Sequence, residues 1–454
     1  MKTFRPWELD QSFLFPPSVL DFVPSNHLAH FIRDLVREEL DLSPILKKYA
    51  EESGYPPYHP ALMTALLLYA YSQAIYSSRK IEKACHERLD FMAVTAMSKP
   101  DHSTISEFRR VHLEELQLLF VQVLKLCQKA GLTKLGHVAL DGTKVKANAS
   151  KHKAMSYARM VEDEKKLEAE VRRWLDEAKR EDEEDNGKHG KSKRGDELPD
   201  WVANKQAKLA KIREAKARLE AEAKEEAERL ASERAAKERE LGHKVPGKAP
   251  KALDGVPDPK EQTNFTDPES RIMKTKDGFD QGYNCQIAVD ADSQVIVAQA
   301  VGQQQNDVNQ LEPMLDAIKD VLAPPVEISA DAGFASEANF AALDAREVRG
   351  YVAVARQKHG TASPTNDSGT SELPLTRVMR ERLRRGGFRS RYRLRKQTVE
   401  PVFGQIKEAR GFRRFLMRGI AKVTGEWSLL ATVHNLLKLA RARGAGAGPG
   451  VAFA

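Results

Sequence analysis

Cysteine is scarce in this chain of 454 residues, which contains only Cys85, Cys127 and Cys285 and no CxxC pair. A disulfide framework or a structural zinc site needs closely paired cysteines, so neither is indicated. Long apolar runs are scarce as well, because polar residues interrupt the most apolar stretch, residues 61–76. The sequence therefore predicts no signal peptide and no membrane-spanning segment, and we expect a cytoplasmic protein.

Negative charge is scarce over one stretch near the end of the chain. Residues 377–422 contain sixteen Lys or Arg and three Glu, although the formal net charge of the whole chain is only +8. Such clustering favours a polyanionic partner, because attraction to a polyanion depends on where the positive charge is concentrated. A solvated basic face or a disordered basic loop is the alternative interpretation.

Composition and periodicity change several times along the chain. Apolar residues at helical spacing, such as Leu28, Ile32 and Leu35, indicate helices at the start. A long segment of Ala, Glu, Lys and Arg with thin apolar stripes indicates two helices packed as an antiparallel, coiled-coil hairpin. Short β-branched runs between helical segments indicate a mixed α/β sheet with flanking helices. The predicted regions are an N-terminal helical domain (1–130), an α/β domain (131–150 and 260–440), a charged helical insertion (151–259) and a disordered tail (441–454).

Three acidic residues stand where folding could bring them together. Asp141 and Asp331 each end a predicted strand, and Glu400 lies on a predicted helix whose apolar neighbours would press it onto the sheet. Carboxylate oxygens are the ligands that Mg²⁺ prefers. Two such ions about 4 Å apart can support displacement at a phosphodiester. The placement of these acids therefore predicts phosphoryl transfer.

Each of these acids also has a purely structural interpretation. Asp141 stands before Gly142, and Asp331 stands two positions before Gly333. Because Asp and Gly are common turn residues, both sites could be turns. Glu400 could be a surface residue near the start of its helix, where a carboxylate favours the helix dipole.

Three other acids are rivals for a catalytic role. Asp290 and Asp292 are assigned to the turn of a β-hairpin. Asp307 is assigned as the N-terminal cap of the helix that follows it. These interpretations leave Asp141, Asp331 and Glu400 as the predicted catalytic group.

Four ordered segments of the chain resemble the DDE transposases of bacterial insertion sequences, in the branch with a helical insertion after the first catalytic strand. PDHSTISEFRR (100–110) resembles the end of the helical domain that begins these proteins. The resemblance covers residues from about 10 to 440. It implies an RNase H-like fold and a catalytic, metal-binding triad of Asp141, Asp331 and Glu400 with two Mg²⁺ or Mn²⁺ ions. The four segments are LDGTKVKANASKHKAMSY (140–157), DPESRIMKTKDGFDQGYN (267–284), ISADAGFASEANF (328–340) and RKQTVEPVFGQIKEARGFRRF (395–415).

The glutamate of this family lies in a motif of Tyr, two residues, Arg, three residues, Glu, six residues and Lys. Lys407 fits, because it stands seven positions after Glu400 and so on the same helical face. Tyr392 and Arg395 have the right mutual spacing but lie one residue too far from the glutamate. Lys396 occupies the strict arginine position. The resemblance therefore implies phosphate contacts by Lys407 and by residues of this upstream group.

Other basic residues are predicted to contact DNA. Lys144 and Lys146 closely follow Asp141 and are assigned to the phosphate backbone, where contacts position DNA without reading its sequence. Recognition of the element ends is assigned to the N-terminal helices, with Arg109 and Arg110 exposed. The pattern there is not a clear helix-turn-helix, so it identifies no groove-reading helix.

Three functions remain open from the sequence. A transposase would bind terminal inverted repeats, cleave there and join the freed 3′ hydroxyl to target DNA, and we expect a homodimer when it assembles on DNA. An RNase H-like nuclease or resolvase would cleave without strand transfer, but the large end-binding domain argues against it. A non-catalytic DNA-binding derivative would not need the intact triad. We expect no membrane partner, and a bacterial, cytoplasmic protein that joins the nucleoid when bound to DNA.

Overall fold

The fold is known from a computed structural model. The residues that it describes form two compact units, one from Met1–Val145 and Asn284–Ala454 and the other from Lys146–Tyr283. This division differs from the predicted one, because the N-terminal helices belong to the same unit as most of the sheet. The structure describes residues 18–49, 56–189, 200–243, 256–275, 278–354, 373–386 and 391–445.

Two predictions concern residues that fall largely outside these ranges. The loop predicted at 358–372 lies wholly outside the described residues, and so do residues 446–454 of the predicted tail. The tail prediction began at residue 441, but the last helix continues to Ala442.

Helices fill the first part of the chain, which confirms the predicted helical region. The apolar residues Leu28, Ile32 and Leu35 are buried on one face of the first helix, as their spacing predicts. The third helix begins at Pro60, because the first helical turn tolerates the missing N–H of proline. These helices are α1 (Leu28–Glu38), α2 (Ser43–Leu46), α3 (Pro60–Ser72), α4 (Ser78–Glu87), α5 (Leu89–Thr95), α6 (His102–Val111) and α7 (Leu113–Lys129).

The later helices fall into both units. In the second unit lie α8 (Tyr157–His189) and α9 (Asp200–Leu241). In the first unit lie α10 (Leu311–Lys319), α11 (Glu337–Ala345), α12 (Pro374–Gly386), α13 (Leu394–Gly404) and α14 (Ile420–Ala442).

A mixed sheet organises the strands. Its order is β4-β5-β1-β7-β8, and β6 also pairs with β5. The β5–β6 pair is antiparallel, which confirms the predicted hairpin, whereas β1–β7 and β7–β8 are parallel. The strands are β1 (His137–Lys146), β2 (Ala154–Ser156), β3 (Gln262–Asn264), β4 (Arg271–Thr275), β5 (Gly278–Asp290), β6 (Ile296–Gly302), β7 (Glu327–Ala330) and β8 (Arg349–Val352).

The last helix, α14, is largely buried. It packs against α3, α7 and β6, and apolar side chains such as Trp427 and Val433 are buried along it. The Asn435 amide accepts the backbone N–H of Ile296 and donates to its carbonyl, each at 2.8 Å. Because this side chain satisfies both backbone groups of one strand residue, it fixes the helix against β6.

The second unit contains the predicted helical hairpin. Buried apolar residues of α8, such as Met160 and Leu167, pack against Ile212 and Leu219 of α9. Tyr157 at the start of α8 contacts Glu220 in the middle of α9, and Glu170 further along α8 contacts Lys205 near the start of α9, so the two helices run antiparallel as predicted. Leu230, further along α9, is 40% exposed, so the apolar contact does not extend that far. Among the described residues, no helix combines the length and apolarity needed to cross a membrane.

Candidate active site

Asp141 and Asp331 lie side by side at one end of the sheet. In the parallel pair β1–β7, Leu140 stands opposite Ala330, so the next residue of each strand carries one of the two aspartates. Neighbouring strands are about 4.8 Å apart, which places the two carboxylates close together. The register therefore makes the two residues neighbours, and their role in one catalytic site stays a prediction.

The Asp141 carboxylate is largely buried and already has two hydrogen-bond donors. It accepts the backbone N–H of Gly142 at 2.8 Å and an N–H of the Arg395 guanidinium. Burial raises the pKa of Asp141 to about 6; Arg395 opposes the rise, whereas the nearby Asp331 carboxylate adds to it. The raised pKa therefore reflects a desolvated carboxyl group that lies beside a second acid.

Gly142 lies inside β1 rather than in a turn, so the turn interpretation of Asp141 is wrong. A methyl group at Gly142 would come within 2.5 Å of the Gln286 amide nitrogen and 2.8 Å of a carboxylate oxygen of Asp307. Glycine is therefore required by the close approach of these side chains to the strand. By contrast, Asp331 does begin a short turn, since its side chain accepts the N–H of Gly333 at 2.8 Å.

Asp307 is the acid that the sequence interpretation missed. It occupies the N-terminal cap position of the short 3₁₀ helix Val308–Gln310, as predicted, but its side chain makes no capping hydrogen bond there. Instead, Oδ1 accepts from the amides of Asn284 at 2.6 Å and Gln286 at 2.5 Å. The Lys144 ammonium lies 3.6 Å from the same oxygen. Asp307 therefore belongs to one polar cluster with Asn284, Gln286 and Lys144.

A weak sequence signal for this cluster exists. Asn284 and Gln286 are polar residues two positions apart in the otherwise apolar strand β5, so they lie on the same face. Both are buried, with exposures of 1% and 0%. Buried polar side chains need hydrogen-bond partners, so two of them on one face of a strand indicate a polar site there.

Arg395 and Tyr392 stand beside the aspartates. Arg395 is 9% exposed, and its guanidinium carbon lies 6.0 Å from the centre of the Tyr392 ring. Burial alone would lower the pKa of Arg395, but Asp141 and Asp331 outweigh it and raise that pKa. Burial also raises the pKa of Tyr392. Arg395, the residue one position off the family spacing, is therefore the one that reaches the pocket.

Lys407 comes to the same place through a π-helical turn. This turn, Gln405–Ala409, follows α13 directly, and turns of this kind occur often at functional sites. The Lys407 ammonium donates to the Thr143 hydroxyl at 2.6 Å and to the Lys144 carbonyl at 2.7 Å. These two contacts hold the Lys407 ammonium beside β1, at the residues two and three positions after Asp141.

Glu400 does not join the two aspartates in this conformation. Its side chain is exposed, and it stands five positions after Arg395, which corresponds to roughly 140° around a helix. Since Arg395 faces Asp141, Glu400 faces elsewhere. Among the described residues, no three Asp, Glu, His or Cys side chains are arranged to hold a metal ion.

Arg109 and Arg110 have different environments, although both were predicted to be exposed. Arg110 is exposed and forms an ion pair with Glu107. The exposure predicted for Arg109 is wrong, because this residue is 7% exposed. Its guanidinium donates to the Tyr71 hydroxyl at 3.0 Å and to the Tyr76 carbonyl at 2.9 Å. Arg109 therefore lies in the interior, away from any DNA backbone.

The remaining predicted DNA contacts lie at or near the surface. Lys396 is exposed on α13, whereas Lys146, in the second unit, forms an ion pair with Asp280 at 2.9 Å. Arg384 and Arg385 are exposed on α12 and pair with Glu381 of the same helix. The basic stretch thus contributes exposed charge at these positions, whereas its residues Arg395 and Arg410 are buried.

Two family models match this sequence. A transposase domain (DUF772) matches residues 17–111, and a transposase DDE domain matches residues 250–436. The chain belongs to the DDE-type transposases of insertion sequences. No curated protein and no solved structure matches it. The α/β fold, with its mixed sheet, flanking helices and N-terminal helical region, is consistent with an RNase H-like DDE domain, and the predicted fold class is confirmed.

DDE transposases generally use divalent metal ions. Whether the residues of this transposase fit such an ion can be judged from their donor atoms. Mg²⁺ is usually held by one or two carboxylates together with water and substrate phosphates. Asp141 and Asp331 supply two carboxylates side by side. The pair fits a magnesium ion, with Glu400 outside it in this conformation.

Proposed function

We propose that this transposase binds the ends of its insertion sequence, cleaves DNA there and joins the freed 3′ hydroxyl to target DNA. The observation that carries the proposal is the adjacency of Asp141, within β1, and Asp331, directly after the parallel neighbour β7. Arg395 and Lys407 lie beside them, each held by contacts to β1. Phosphodiester chemistry requires acidic side chains that hold a divalent ion and basic side chains that bind phosphate. The two aspartates supply the first, and Arg395 and Lys407 supply the second.

In this mechanism each side chain has a separate task. The divalent ion, when bound, activates the attacking water or hydroxyl and stabilises the leaving oxygen. Asp141 and Asp331 would hold it through their carboxylate oxygens. Lys407, fixed by Thr143, would neutralise a phosphate of the bound strand. The contacts of Lys407 with Thr143 and Lys144 exist before DNA arrives, so this charge is already positioned.

Glu400 is proposed as the third carboxylate, which requires a rearrangement of α13. Arg395 now occupies the face of α13 that meets Asp141. A DNA phosphate offers a guanidinium a bidentate partner. If Arg395 moved from Asp141 to a phosphate, α13 could turn and bring Glu400 towards the two aspartates. The triad would then be completed only on DNA, where the reaction is needed.

The exposed basic residues are proposed to bind the DNA backbone. Arg110 on α6, Lys396 on α13 and Lys146 in the second unit are the predicted contacts, together with the pocket residues Lys144 and Lys407. If six or more phosphates are neutralised, affinity should fall by about 10³-fold or more between roughly 50 and 200 mM salt. Fluorescence anisotropy of labelled DNA measures this fall. A flat response over that range would contradict a phosphate-dominated interface.

A reconstituted reaction tests the proposed function. The purified chain is incubated with DNA that carries the element ends, with target plasmid and with Mg²⁺ or Mn²⁺. We expect nicks at the ends and joined products, both lost when a chelator is added. Cleavage without joining would favour a nuclease or resolvase, and binding without cleavage would favour a non-catalytic derivative. We further propose that two copies assemble on paired ends in the bacterial cytoplasm, with two ions in each site.

A further inference from the structure

The position of Asp307 suggests a task beyond the predicted triad. All three of its donors, Asn284, Gln286 and Lys144, approach the same oxygen, Oδ1. Its other oxygen, Oδ2, faces the turn after Asp331, where it lies 3.2 Å from the position that a methyl group on Gly333 would take. The carboxylate is thus fixed in orientation, with Oδ1 towards β5 and Lys144 of β1 and Oδ2 towards the turn after Asp331.

The amides beside Asp307 are directed at its carboxylate. The Asn284 and Gln286 side chains are buried, and each donates an N–H to Oδ1. Gln286 also lies close to β1, because its Oε1 is 2.9 Å from the position of a methyl group on Gly142, next to Asp141. Since buried donors of this kind fix their acceptor, Asp307 cannot turn away from Lys144 without leaving them unpaired.

We propose that Asp307 is a positioning residue that holds the Lys144 ammonium against a phosphate of the DNA strand being cut. Lys144 is anchored at both ends, because its carbonyl accepts from Lys407 while its side chain pairs with Asp307. Asn284 and Gln286 keep Asp307 itself in place. The inference rests on the proposed function, since it gives Lys144 a phosphate to meet.

A double-mutant cycle with Asp307→Asn and Lys144→Met tests the inference. Asparagine still accepts at Oδ1, so a purely structural role would survive the first change. We expect each single variant to cleave at saturating DNA about tenfold more slowly, and the double variant also about tenfold, not hundredfold, more slowly, because linked residues give non-additive effects. Asp316→Asn, which loses an exposed ion pair to Arg346, is the matched control and should cleave normally.

The second measurement on the same variants is DNA binding, which needs no catalysis. In chelator, Lys144→Met should weaken DNA binding several-fold in the wild-type background. In the Asp307→Asn background it should change binding by less than about twofold, because the unheld ammonium no longer contributes. Coupled binding without cleavage by the wild type would refute the proposed function but support the positioning role. Additive effects in both measurements would overturn the inference.

Discussion

Asp331→Asn is expected to abolish DNA cleavage and joining while leaving the protein folded. An amide is a much poorer ligand for Mg²⁺ than a carboxylate. Loss of metal assistance is worth several kcal/mol, or about a thousandfold in rate. The fold should persist, because the amide oxygen of asparagine can still accept the N–H of Gly333. Single-turnover cleavage of end DNA, with circular dichroism as a check of folding, measures the effect.

The matched control for this variant is Asp292→Asn. Asp292 is a solvent-exposed aspartate in the turn between β5 and β6, where it pairs with Lys134 at 3.4 Å. Its conversion to asparagine removes the same charge without touching the pocket, so the cleavage rate should remain within about twofold of the wild type. Full activity of Asp331→Asn would eliminate the pocket as the site of chemistry.

The same cleavage assay tests whether Glu400 is the third carboxylate. Glu400→Gln should slow cleavage strongly if α13 turns on DNA, whereas Glu408→Gln, a change at an exposed glutamate eight positions further on, should not. Equal rates for both variants would mean that Glu400 stays on the surface, as it does without DNA. The two-aspartate site would then act without it.

The pairing of Asp141 with Asp331 could be predicted because each directly follows a run of apolar residues. In the parallel pair β1–β7 the ends of these two runs stand opposite each other, although β1 itself continues to Lys146, which the sequence did not predict. The position of Glu400 could not be derived in this way. It depends on the phase of α13, which is set by the contact of Arg395 with Asp141. Spacing along a sequence assumes a regular helix, and the π-helical turn after Gly404 breaks that assumption.

Asp307 was missed for a different reason. A carboxylate before a helix is usually a cap, and this local interpretation is sound when only neighbouring residues are known. The partners that override it, Asn284 and Gln286, stand more than twenty positions earlier on β5. Contacts between distant segments decide the role of such a residue, and the single sequence did not reveal them.

The burial of Arg109, by contrast, was readable from the sequence. It stands four positions after Ile105 on α6, so the two share one helical face, and both are buried. Arg110 lies one position further round the helix and is exposed. The sequence prediction made both arginines exposed, whereas helical periodicity places them on different faces of α6.

Arg109→Met is therefore expected to destabilise the protein by about 3 kcal/mol or more, since removing one member of a buried charged network leaves its partners uncompensated. The Tyr71 hydroxyl and Tyr76 carbonyl would lose their donors. Glu426, which is fully buried, would lose a nearby positive charge: burial raises its pKa, and Arg109 is one of the groups that oppose this rise. Denaturant unfolding measures the loss.

Arg110→Met is the matched control, because it removes the same charge from the adjacent, exposed position. Its unfolding free energy should change by less than about 0.5 kcal/mol, while DNA affinity should fall if Arg110 contacts phosphate. If Arg109→Met does not fold, Arg109→Lys replaces it in the test. Lysine keeps the positive charge but lacks the planar guanidinium group and its fixed donors, so this variant should be destabilised to a smaller extent. A stable Arg109→Met protein with weakened DNA binding would place Arg109 at the surface after all. Loss of stability confined to Arg109 would instead establish that the N-terminal helices and α14 share one charged core.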